Sequence, residues 1–487
     1  MKRLKLMFIA ILIFAYPAIS MSETNFTFSE SGINSDPSDW LGLDERQVFY
    51  KKLSHSEPGN SWVIKIGKGG QIYSIQMPVL GELIAYQRAD HGQWVDEVFQ
   101  HTLPMPPQKS KSKDNTVVDG DIHQAGYYMA SDLDEKKQLL PSSVYSPVFA
   151  YQFNKAESSV SYITWPQHAH LPRRYAENLV FINQTIKDLG GGVVEISLEY
   201  NKWGGKRHEK FSLPWAAFRT KTLPVQIISN RDGSYRKDNR TLRNKKPMPR
   251  LKKGSAGGWL ALVTSDNPEA QGIGIVYGKA PRLLDGKDSM VSWGSYGPPR
   301  NPQVGGTIVA VYRDVTLDVG ESLFYRYYVV LGTLADIQAK ANQLESSVEL
   351  KKITMTEGAV ARLEICPDAD NALTRVCAKD STPSFYTYQN YIPDAKPLFL
   401  LRDVGSGEDM VTDDPYEISF NPTDGSTKYS DLLGWAVPQT MAADSCRYQP
   451  LSEAINMIKR KIKVGLHAAN LYVLRPSEAG CVSLPVK

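Results

Sequence analysis

Val193-Val194-Glu195-Ile196-Ser197-Leu198-Glu199-Tyr200 alternates apolar and polar residues almost without a break. Successive side chains of a strand point to opposite sides, so a period of two puts Val194, Ile196, Leu198 and Tyr200 on one buried face. Outward from this stretch, similar runs recur from Trp62 to about Leu331. They are Trp62–Ile66, Gln71–Met77, Glu82–Gln87, Ser159–Trp165, Val225–Ser229, Trp259–Thr264, Gly272–Tyr277, Thr307–Tyr312 and Phe324–Leu331. Each is rich in Val, Ile, Tyr, Phe or Trp and is set off by Gly, Pro, Asn or Asp. So many strands with few helices between them predict a mostly β protein of stacked antiparallel sheets, not a βαβ fold. No dinucleotide-binding or Walker glycine pattern interrupts the series.

A helical period follows at Leu334–Leu344, where Leu334, Ile337, Ala341 and Leu344 recur at three to four residues. It closes a large β-sandwich domain placed at 40–345. A smaller β-rich domain, 346–487, follows, with a second amphipathic helix expected at Ser452–Lys463.

The 487 residues are 42% hydrophobic and 22% charged, the balance of a globular chain and not of a disordered one. A net charge of +4 is too small for a dedicated nucleic-acid binder. The charge is unevenly spread: Tyr235–Lys253 holds nine basic residues and one acid. That stretch reads either as a solvated loop or as an electrostatic guide for an acidic polymer. Pro104–Gly120 and Leu283–Gly305 are two further long polar stretches.

Lys2, Arg3 and Lys5 precede an apolar run from Leu6 to Ala15, with small residues at Ala18 and Ser20. This is the pattern of a cleaved export signal over residues 1–20. The run is shorter than the ~20 residues that span a bilayer, so no stable membrane insertion is expected and the destination is secreted or periplasmic. In such a compartment Cys366, Cys377, Cys446 and Cys481 are expected in disulfides. Pairing by neighbourhood, eleven and thirty-five residues apart, is the simplest of three connectivities.

Gly69-Gly70-Gln71-Ile72-Tyr73-Ser74-Ile75, Leu83–Tyr86 and Asp90-His91-Gly92-Gln93-Trp94 through Gln100 resemble the opening of galactose-mutarotase-like domains. Gln93 stands where Arg is commoner in that pattern. Tyr325–Gly332 followed by the Leu334 helix is similar to the way such domains close. The resemblance covers about residues 60–345. It implies an antiparallel β-supersandwich of two large sheets, found chiefly in sugar epimerases, glycosidases, polysaccharide lyases and glucan-biosynthesis factors. Fold alone does not fix which.

Three clusters carry candidate chemistry. The first is Asp90-His91-Gly92-Gln93-Trp94-Val95-Asp96-Glu97. Hydrolysis of a glycosidic bond needs two carboxyls converging from different segments, so Asp96 or Glu97 would pair with Asp121, Glu195 or Glu199. The second runs Asp119-Gly120-Asp121-Ile122-His123 to Tyr127, and the third holds Trp165, His168, His170, Arg173 and Arg174. A polysaccharide lyase must neutralise a uronate carboxylate and remove the adjacent carbon-bound proton. Arg173 or Arg174 suits the first task, and His123, His168 or Tyr127 the second. No cofactor is expected; His123, His168 and His170 form a minor alternative as ligands of a divalent metal. Asp90, His91, Trp94, Trp165, His170, Arg174 and Trp293 are expected to bind substrate, the aromatics by stacking on sugar rings. Each carboxylate, His and Arg also has an ordinary reading as a solvated or packed residue.

Together these point to an exported enzyme cleaving glycosidic bonds of an extracellular, acidic or neutral polysaccharide. Hydrolysis stands slightly ahead of β-elimination. The alternative is a non-catalytic glycan-binding or polysaccharide-assembly protein.

Overall fold

The computed structural model describes residues 27–31, 50–56, 61–66, 70–84, 99–109, 117–123, 148–168, 178–205, 207–237, 257–278, 290–296, 306–355, 385–388, 392, 394–403, 409–413, 428–442, 447–456, 462–466 and 468–475. The chain is mostly β, in an 11-stranded, a 10-stranded and a 6-stranded sheet. Among the described strands every pairing is antiparallel except Asp409–Thr412 with Ile462–Val464.

The 193–200 stretch behaves as its alternation predicts. Val194, Ile196, Leu198 and Tyr200 are at most 1% exposed, while Glu195, Ser197 and Glu199 are half-buried. The strand continues to Gly205 and lies between Asn178–Gly190 and Glu321–Thr333. Its turn from Asn178–Gly190 is made by Gly190, Gly191 and Gly192, all at positive φ, a conformation that a Cβ makes costly.

Val194, Ile196 and Tyr327 of the 10-stranded sheet share one core with Ile64, Ile72, Phe99 and Phe218 of the 11-stranded sheet. Two sheets packed through one interior form a sandwich. Its strands run from Thr27–Ser31 to Glu349–Thr354, one strand beyond the expected 40–345 at each end. The interior holds a polar layer: His101 Nε2 lies 2.8 Å from the Tyr327 hydroxyl, and the Tyr162 hydroxyl donates to the Gly70 carbonyl at 2.8 Å. Burial pushes the Tyr162, Tyr200 and Tyr327 hydroxyls well above their usual range, so they stay neutral. Gly70 sits at φ +77°, and a Cβ there would lie 2.5 Å from Thr164 and 2.7 Å from Tyr162. Only glycine lets the two sheets approach at that point.

Helix α1, Leu334–Leu344, starts on a capping box between Thr333 and Asp336. It lays Leu334, Ile337 and Ala341 against Trp259, Val276 and Val330 on the back of the 10-stranded sheet. Asn342 accepts from the Trp259 indole at 3.0 Å, and Glu345 accepts from Gly258 N–H at 2.9 Å.

The 6-stranded sheet has its own core of Phe385, Leu398, Leu400, Leu433, Leu451 and Ile455. The helix expected over Ser452–Lys463 is shorter, Leu451–Asn456. Ile462–Val464 is instead a strand, where β-branched residues gain a pairing partner in Asp409–Thr412. An aromatic layer joins this sheet to the sandwich: Trp165, Phe181 and Trp203 meet Phe399 and Trp435. Among the described residues no helix is long and apolar enough to cross a membrane. The leader 1–20 and Cys366, Cys377, Cys446 and Cys481 lie outside the described residues.

Candidate functional site

The register of the 11-stranded sheet sorts the candidate residues. Ile72, Phe99, Ala216, Val309 and Trp293 are successive cross-strand partners in one row. Ile72, Phe99 and Ala216 are at most 1% exposed, so this row belongs to the core side. Trp293 stands at the end of this row, as the partner of Val309.

The alternate rows belong to the other side of the sheet. One joins Gln167, His123, Thr102, Ser212, Tyr312 and Met290. The next joins Gln100, Trp215, Ala310 and Ser292. A bulge between Ser212 and Trp215 keeps both residues in outer rows although they are three apart. Asp121, paired with Pro104, stands two positions from His123 on the same strand, Val117–His123. Strand order thus sets the strand of Asp121 and His123 two places from the strand of Trp215 in the same sheet.

His168 pairs with Ile122, while His123 pairs with Gln167. The two histidines thus fall in alternate rows of adjoining strands. Among the described residues no group of three or more His, Cys, Asp or Glu could hold a metal ion.

Glu195 and Glu199 lie elsewhere. They sit on the outward side of the 10-stranded sheet, where Glu195 accepts from Ser197 at 3.3 Å and Glu199 from Asn183 at 3.4 Å. The sandwich core separates that side from the strand bearing Asp121. Of the three carboxyls expected to pair with Asp96 or Glu97, Asp121 thus belongs to one layer and Glu195 and Glu199 to the other. Trp165 is also displaced from its expected role. It is 1% exposed, with Phe181 and Phe399 stacked against it at 5.4 and 5.6 Å. Asp90, His91, Trp94, Asp96, Glu97, Tyr127, His170, Arg173 and Arg174 lie outside the described residues.

The segment that carries Asp90 to Glu97 has well-defined anchors. Before it, Ile84 bridges to Phe218; after it, Phe99 pairs with Ala216. Both ends therefore meet the strand His208–Arg219 two residues apart. Glu82 braces the first anchor, accepting from the Ser74 hydroxyl at 2.5 Å, Ile84 N–H at 2.9 Å and Ile75 N–H at 3.0 Å. Burial pushes its carboxyl above the usual range, against the lowering effect of those bonds and of Arg219. Arg219 in turn donates to the Ile84 carbonyl at 3.0 Å. In the sequence Glu82 is only a polar residue of a predicted strand, and nothing there marks it as a brace.

Lys202 is a second residue that pattern reading passes over. It is fully buried, and its Nζ has no hydrogen-bond partner among the described residues. Burial alone lowers its pKa to about 7.

No family model and no curated protein matches the chain. Solved structures give distant likenesses. The chain is similar to the 4-alpha-glucanotransferase from Thermococcus litoralis at 8% identity and TM-score 0.29, over 58% of this chain and 38% of that one. It is similar to the GalM/aldose epimerase homologue from C. elegans at 10% identity and TM-score 0.28, over 56% and 96%. A galactose mutarotase-like protein from Clostridium acetobutylicum gives 10% identity and TM-score 0.26, over 63% and 96%. The two-layer architecture itself stands on the strand order and shared core of this chain.

Proposed function

We propose that the protein is an exported carbohydrate-active enzyme that cleaves an acidic polysaccharide on the outer side of its 11-stranded sheet. The observation that carries this reading is the cross-strand placement of His123 and Asp121 with Trp215 across adjoining outer rows. An imidazole is a base suited to neutral pH, and an indole offers an apolar surface to a sugar ring. With Glu195 and Glu199 on the other layer, β-elimination moves ahead of hydrolysis. His123 takes the proton next to the uronate carboxylate, the C–H electron pair forms the double bond as the bond to the leaving sugar oxygen breaks, and that oxygen takes up a proton from water to leave as a hydroxyl.

The test is incubation with neutral and uronate-containing polysaccharides. Ultraviolet absorbance of an unsaturated uronate supports elimination. New reducing ends without it return the reaction to hydrolysis by Asp121 with Asp96 or Glu97. Saturable binding with no product supports the glycan-binding alternative instead.

A further inference from the structure

Lys202 continues the inward series of Leu198 and Tyr200 at the end of its strand. Its cross-strand partner is Val180, and its carbonyl accepts from Gly320 N–H at 2.9 Å. Just beyond it the chain leaves one sheet at Gly205 and enters the other at His208, so Lys202 lies where the two layers are joined. Tyr200, Val180, Leu317 and Leu323 nearby are all 0% exposed.

Several ionisable groups with described side chains lie on the surrounding elements. His208 is buried at the start of its strand and pairs with Leu317. Asp318 faces Arg207 at 3.6 Å, and Glu321 faces Lys352 at 2.9 Å. Each of these carboxylates already has a cation, and none hydrogen-bonds Lys202 Nζ. An ammonium sealed in with no counter-charge among the described residues is strongly disfavoured, so above about pH 7 the closed form holds the free amine.

We propose that Lys202 is a proton-operated latch: uptake of a solvent proton by its amine favours opening of the strand end 200–205. Opening would carry Trp203 with it, and Trp203 is the residue stacked on Trp435 of the third sheet. Lower pH then loosens the joint between sandwich and third sheet, and higher pH closes it.

Hydrogen exchange of the amides of residues 200–204, corrected for intrinsic rates, tests the latch in the full chain. The open form binds the proton more tightly, so wild-type protection should rise by up to about tenfold per pH unit between pH 7 and 9. In Lys202→Met it should be flat. Flat protection in the wild type overturns the proposal, and so does an undiminished slope in Lys202→Met, which would assign the effect to His208 or the carboxylates. Competitive acetylation of the wild type needs no variant. A Lys202 midpoint near 7 supports the latch, and one near the ordinary lysine value overturns it. None of these readouts depends on the sugar chemistry proposed above.

Discussion

The indole of Trp203 lies flat on the indole of Trp435, with ring centroids 3.7 Å apart and planes 11° from parallel. One ring comes from the sandwich and the other from the third sheet, and both are under 10% exposed. Phe181 meets the edge of Trp435 at 5.8 Å, so that indole is held from two directions. Trp435→Ala should therefore cost about 3–5 kcal/mol, the range for a deleted buried tryptophan. Urea unfolding checks it, and a loss below about 0.5 kcal/mol would show that the layer does not bind the sheets together.

Tyr327→Phe should destabilise the fold by about 1–3 kcal/mol, because it removes a hydrogen-bonding partner from fully buried His101. A double-mutant cycle with His101→Phe should show coupling between the two sites. Strict additivity would mean that the 2.8 Å contact contributes nothing of its own.

The pH dependence of overall stability follows from Lys202. Its pKa falls from 10.5 in the unfolded chain to about 7 in the fold. Below about 7 both states bind the proton, and the fold bears the full penalty of burying it. As pH rises from there towards 10.5 the unfolded chain still holds a proton that the folded chain has released, and the penalty is progressively relieved. Lys202→Met should be the more stable protein at pH 7, by an amount on the order of several kcal/mol. The two should converge as pH approaches 10. Denaturant melts at pH 7, 8.5 and 10 decide it; a less stable methionine variant at pH 7 would contradict the account.

Glu82→Ala should cost about 1–3 kcal/mol, because the Ile75 and Ile84 N–H groups and the Ser74 hydroxyl lose their acceptor. Thermal unfolding measures it. An unchanged melting temperature would mean that water replaces the carboxylate without loss.

His123→Ala should lower kcat on the responsive polysaccharide by about 10²–10⁴, the usual weight of general-base catalysis, with an unchanged melting temperature. Trp215→Ala should raise KM more than it lowers kcat. A His123 variant with full activity would remove the imidazole from the reaction.

The sandwich was legible where its strands bury one side only. Val194 to Tyr200 shows this, and Leu334 to Leu344 shows the corresponding pattern for a helix that covers one face of a sheet. Trp165 shows why an aromatic is hard to place: beside a loop it reads the same in sequence whether it meets a sugar or, as here, Phe181 and Phe399. Asp121, Glu195 and Glu199 read alike in sequence as partners for Asp96 or Glu97, and only strand order puts the glutamates on a different layer from Asp121; strand order is a long-range property. Lys202 was hidden by the rule that lysine belongs outside. The Ser452 helix was overextended because Ile462 satisfies a helical period as well as a strand pairing.

The aromatic joint also bears on how the molecule can be made. Ending the chain at Thr354 would keep every strand of the two large sheets yet leave Trp165, Phe181 and Trp203 without their cover. Such a fragment would carry a greasy shelf of three rings on its surface and would self-associate in preference to staying monomeric. A fragment meant to stay monomeric should therefore keep the third sheet or have those rings replaced by polar residues.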